Sequence, residues 1–168
     1  MNFSEEHVTR AMARQLVVEG WEIVAVHPPD GQGPFVIPKP PKRSAIERPS
    51  YHPDIVALRN NKSDGSTQLM LVECKLHEPD LDDDLVKLTE LSANRTSLLY
   101  ALFRCQRFAG GPSLGVDYAR ISHLPTHKLP VVFAVAAMGE LTASTRISRV
   151  GGFECFKYLF GSKELAQR

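Results

Sequence analysis

The stretch that decides the fold runs from Pro53-Asp54-Ile55-Val56-Ala57-Leu58 to Leu69-Met70-Leu71-Val72-Glu73-Cys74-Lys75-Leu76. Two apolar runs are separated by Asn60-Asn61-Lys62-Ser63-Asp64-Gly65-Ser66, whose residues favour a tight turn, so the spacing predicts an antiparallel hairpin. Three ionisable residues break the apolar pattern. Asp54 opens the first strand directly after a proline, and Glu73 and Lys75 interrupt the second near its end. Side chains alternate along a strand, so Glu73 and Lys75 share a face while Val72 and Cys74 take the other. With the hairpin in register, Asp54 lies across from Glu73, and two carboxylates and an ammonium gather on a rigid sheet.

The elements around the hairpin are those of an α/β (α+β) domain with a mixed central sheet flanked by helices. Upstream, Ser4 with Glu5 and Glu6 reads as a helix start, Val8, Met12, Leu16 and Val17 recur at helical spacing, and Gly20 ends the run. Trp21 to Val26 reads as a strand. Between Pro28 and Pro53 lie eight of the twelve prolines, a density that predicts a long loop or arm with no regular element. Downstream, Asp80 to about Phe108 predicts a long helix with Leu81, Leu85, Leu88, Leu91, Leu99 and Leu102 as its apolar stripe, stopped by Ala109-Gly110-Gly111-Pro112. Leu129 to Ala136 reads as a strand buried on both faces. Further strand and turn extend to Phe160, and a loose tail or short helix starts at Gly161. At 168 residues, without internal repeats, the chain reads as one domain.

Composition bounds the function. The net charge of +1 argues against a non-specific nucleic-acid coat, although a local basic surface suffices to hold phosphates. No apolar run is long enough to cross a bilayer, and the N-terminus lacks the pattern of a signal peptide. Cys74, Cys105 and Cys155 are odd in number and widely spaced; they read as apolar fillers in a reducing, cytoplasmic setting.

Two carboxylates suit a hard cation such as Mg²⁺, which keeps several waters and coordinates phosphate oxygens. Such an ion lowers the pKa of a bound water, and a neighbouring lysine orients that water and offsets charge on the phosphate. The carbonyl of Cys74 is a further candidate ligand. Pro53-Asp54 followed by Glu73-Cys74-Lys75 resembles the PD-(D/E)xK motif of restriction endonucleases and Holliday-junction resolvases, with the likeness running from Ser4 to the long helix and on to the strand at Leu129. The resemblance implies a restriction-endonuclease-like αβββαβ core and a Mg²⁺-dependent endonuclease, Mn²⁺ substituting, that cleaves DNA in a restriction-like or repair-like role as a homodimer. Asp54 and Glu73 would hold metal, Lys75 would assist the nucleophile, and a first-helix glutamate, Glu5 with Glu6 as the alternative, would join them. Lys87 and Arg95 stand where relatives place phosphate contacts. Lys39, Lys42, Arg43 and Arg48 of the proline-rich segment are candidates to line a DNA groove.

Plainer readings compete. Glu73 and Lys75 would make a surface ion pair, Asp54 a turn aspartate, and Glu5 and Glu6 dipole-complementing acids. Asp82, Asp83 and Asp84 read as surface residues at a helix start, and His27, His52, His77, His123 and His127 as surface or loop histidines, with His52 placed to support Asp54. The rival functions are a catalytically inactive nuclease-fold nucleic-acid-binding module and an accessory subunit docking its leucine stripe on a larger partner.

Overall fold

The computed structural model of the chain describes residues 2–27, 37–38, 50–60, 67–92, 131–140, 145–150 and 153–167. It opens with helix α1 (Glu5–Val18), followed by strand β1 (Glu22–Val26) and the short strands β2 (Ile37–Pro38) and β3 (Ser50–Tyr51). The hairpin strands are β4 (Ile55–Asn60) and β5 (Thr67–His77). A 3₁₀ turn (Glu78–Asp80) leads into helix α2 (Leu81–Ser92), and strands β6 (Val131–Met138), β7 (Thr145–Val150) and β8 (Phe153–Phe160) precede a terminal turn of helix, α3 (Ser162–Leu165). The result is an α+β architecture in which helices flank an open mixed sheet of six strands, ordered β1-β4-β5-β6-β8-β7.

At the start of α1, the ring of His7 reaches back to accept the backbone N–H of Ser4 at 3.2 Å, which closes the first turn. Gly20, at φ 83°, takes the left-handed conformation that lets the chain leave the helix, and the N–H of Trp21 closes onto the carbonyl of Leu16 at 2.9 Å. Strand β1 then pairs antiparallel with β4, and a bulge between Ile23 and Ala25 shifts the register by one. The extra residue keeps Ile23 on one face and Ala25 on the other, each with its partner on β4.

The predicted hairpin is present, with Ile55 paired to Val72 and Asn60 to Thr67. Strand β5 also pairs with β6, in parallel, and β6 with β8, in parallel. Central position explains composition: Val131 to Ala137 are all buried, because both faces of β6 are covered. On one face Val8, Met12 and Leu16 of α1 pack on Ile55, Ala57, Met70, Val72 and Cys74. On the other, Leu81 and Leu88 of α2 pack on Val56, Leu69, Leu71, Phe133 and Val135. Burying one leucine side chain stabilises a fold by roughly 1.5–3 kcal/mol, so these two stripes hold the helices to the sheet.

Several expectations change. The proline-rich segment does contain regular structure, because Ile37 pairs with Tyr51 and Pro38 with Ser50; a two-residue bridge needs too few backbone donors for proline to forbid it. The strand after Pro53 begins at Ile55, one residue later than predicted, and Asp54 occupies a bend. The long helix is described to Ser92, and its predicted continuation to Phe108 lies outside the described residues. Cys74 and Cys155 are buried fillers, and Cys105 lies outside the described residues. No helix among the described residues is long and apolar enough to cross a membrane.

Candidate active site

Asp54 and Glu73 meet because of register. The β4–β5 ladder ends at the Ile55–Val72 pair, and continuing its register by one step puts Asp54 at the level of Glu73. Their parities agree with the packing: Val56, two residues after Asp54, and Leu71, two before Glu73, both lie on the α2 face. The same alternation adds Lys75. Since β4 has ended, the backbone N–H of Cys74 lacks a strand partner on that side, and Asp54 Oδ2 accepts it at 2.6 Å. A residue's N–H and C=O point to the same side of a strand, so the Cys74 carbonyl also faces the end of β4. Its thiol points the other way, among the buried residues under α1, and burial raises its pKa far above the ordinary thiol value.

The bend that carries Asp54 is held by His27, the residue after β1. Its backbone N–H donates to the Asp54 carbonyl at 2.8 Å, and its ring Nδ1 bonds the Pro53 carbonyl. A carbonyl only accepts, so Nδ1 carries the proton. His27 follows β1 outside regular structure, as a loop residue would, but at 2% exposed it is buried and not a surface histidine. Burial lowers its pKa, against the opposing effect of the Pro53 bond. The His52 ring packs edge-on against it, with centroids 5.9 Å apart.

Helix α2 supplies a carboxylate that its sequence context disguised. Asp82 and Asp83 are exposed as expected of helix-start acids, but Asp84 is 0% exposed. Its Oδ1 accepts from Lys87 Nζ at 2.5 Å, and its Oδ2 lies 3.5 Å from Lys75 Nζ without a hydrogen bond from any described residue. The signal was present: Asp84 falls three residues after Leu81 and four before Leu88, on the buried stripe itself. Reading three consecutive aspartates as one block hid it. Helix α1 contributes Glu5, whose Oε2 is 3.6 Å from Lys75 Nζ. Glu6 instead pairs with Arg10 on the exposed side of the helix, so of the two glutamates Glu5 is the one at the cluster.

Electrostatics follow from four carboxylates and two ammoniums crowded at the end of β5. Burial raises the Asp54 pKa to about 6; Glu5 and Asp84 add to the rise, while the Cys74 N–H and Lys75 oppose it. Glu73, 5% exposed, is pushed well above the ordinary carboxylate range, first by burial and then by Asp54 and Asp84. For Lys75, burial alone would lower the pKa, but Asp84, Glu5, Asp54 and Glu73 outweigh it and hold the ammonium above its usual value. Lys87 is raised in the same way, chiefly by Asp84 against burial.

Among the described residues, no three His, Cys, Asp or Glu side chains converge closely enough to enclose an ion by themselves. The donors at the end of β5 are all oxygens (two facing carboxylates and a strand carbonyl), and that set fits a hard cation that retains several waters. Lys39, Lys42, Arg43, Arg48 and Arg95 lie outside the described residues. Comparison with protein-family models, with curated proteins and with solved structures gave no match.

Proposed function

We propose that the chain is a divalent-metal-dependent nuclease that hydrolyses DNA phosphodiester bonds. The observation that carries this reading is Asp54, in the bend before β4, brought against β5 beside Glu73 and Lys75. Burial raises the pKa of both carboxyls, and Asp54 raises that of Glu73 further, which destabilises the empty site, an arrangement more useful to a cation than to the fold. The order helix, three antiparallel strands, helix and parallel strand supports the PD-(D/E)xK likeness of the motif, with α1, β1, β4, β5, α2 and β6 as the αβββαβ core.

In this reading Asp54, Glu73 and the Cys74 carbonyl hold Mg²⁺, or Mn²⁺ in its place. When bound, the ion supplies positive charge to a phosphate oxygen and acidifies water. Lys75 aligns the attacking water and offsets negative charge that develops on the phosphate. Glu5 accepts a hydrogen bond from that water or from Lys75, and Lys87, bonded to Asp84, adds positive charge beside the site. Cutting both strands calls for two sites, which a homodimer provides.

The test is cleavage of linear, circular, branched and single-stranded DNA in Mg²⁺ or Mn²⁺, beside Asp54→Ala and Lys75→Ala. The wild type should cut at least one substrate and both variants should lose that activity. A wild type that cuts none of them, or variants that cut equally well, would overturn the assignment.

A further inference from the structure

A lysine that must sit beside a reacting phosphate needs something to hold its flexible four-carbon stem. Two carboxylates compete for Lys75 Nζ at nearly equal distance: Glu5 at 3.6 Å and Asp84 at 3.5 Å. They differ in freedom. The Glu5 side chain is 31% exposed and lies in the first turn of α1, so it can swing. Asp84 is wholly buried, on a helix clamped to the sheet by Leu81 and Leu88, and cannot.

We infer that Asp84 is a positioning residue for Lys75, itself anchored by Lys87, so that the order of restraint is Lys87, Asp84, Lys75. A lone carboxylate buried beside Glu73 and Asp54 is strongly unfavourable unless it is paired. The two lysines supply that pairing from opposite sides, one per oxygen. Lys87 is three residues along the same helix, so its bond to Asp84 does nothing to dock α2. The Lys75 contact alone crosses from helix to sheet. Asp84 fixes the ammonium from the α2 side and leaves Glu5 available to substrate or water. The role rests on the nuclease reading, because the restraint has a catalytic purpose only if Lys75 serves a reaction.

The experiment compares wild type, Asp84→Asn, Lys75→Met, the double variant, and Asp83→Asn as an exposed control. Single-turnover cleavage, DNA affinity and urea unfolding are measured for each. Asp84→Asn should slow cleavage roughly 10- to 100-fold, the scale of a misplaced catalytic group, with the dissociation constant for DNA within about twofold of wild type. Asp83→Asn should leave both unchanged. In unfolding, Asp84→Asn should lower the urea midpoint more in the wild-type background than in Lys75→Met. Cleavage by Asp84→Asn at the wild-type rate, loss confined to DNA affinity, or equal midpoint shifts in the two backgrounds would each overturn the inference while leaving the nuclease reading intact. A wild type that cleaves no substrate would defeat the nuclease reading and the catalytic purpose together, and the unfolding cycle would then decide alone whether Asp84 holds Lys75.

Discussion

Replacing Asp54 by Asn should make the metal-free protein more stable at neutral pH. In the fold Asp54 keeps its proton up to about pH 6, whereas its ordinary value is 3.8. Between these values the folded chain binds a proton that the unfolded chain has released, so stability falls as pH rises through this window. Above it the full penalty is present. A difference of about two pKa units corresponds to about 3 kcal/mol at pH 7.5, and to about 1 kcal/mol at pH 4.5, where the unfolded carboxyl is mostly but not wholly ionised. Asn keeps an oxygen for the Cys74 N–H but as a neutral acceptor, which costs about 1 kcal/mol at either pH. The net expectation is a gain of about 2 kcal/mol at pH 7.5 that vanishes near pH 4.5. Urea unfolding of wild type and variant at the two pH values, with chelator present, reads the difference directly. A pH-independent difference, or a variant less stable at pH 7.5, would refute the argument that Asp54 is held at the expense of the fold.

Other perturbations separate the parts of the site. Glu5→Gln should slow cleavage about tenfold or more, while Glu6→Gln, on the exposed side with Arg10, should leave the rate unchanged; equal effects would undo the choice between them. His27→Ala removes a buried ring and its bond to the Pro53 carbonyl and should cost about 2–4 kcal/mol. The same variant should slow cleavage beyond what unfolding explains, since the Asp54 bend loosens. Thermal melts and rates normalised to folded protein check this, and a stable, fully active His27→Ala would remove the histidine from the account.

Much of this geometry was legible in the chain because strands alternate with a period of two. Once Pro53-Asp54 and Glu73-Cys74-Lys75 were set on neighbouring strands, the face shared by Glu73 and Lys75 followed. Asp54 joined them only through the hairpin register, which the pairing of Ile55 with Val72 supplies. Sequence was less informative where contacts are long-range. His27 and Pro53 are separated by a proline-rich segment, and nothing local announces that β1 ends against the bend before β4. Asp84 illustrates the opposite failure: the helical period placed it on the buried stripe, but the helix-dipole explanation for neighbouring acids outweighed the period. The preference for Glu5 over Glu6 was legible from the helical period, since Glu5 lies on the face of Val8, Met12 and Leu16, and the Lys75 contact falls on that residue.

The central claim is that Asp54 and Glu73 jointly hold a divalent ion. Titrating Mn²⁺ into the chelator-stripped protein at pH 7.5, followed by calorimetry, measures this without reference to any substrate. Wild type should bind the ion, more weakly at pH 5 than at pH 7.5 because Asp54, raised to about 6, must be ionised to ligate it, and both Asp54→Ala and Glu73→Ala should lose that binding. Wild-type affinity retained in either variant would contradict the account.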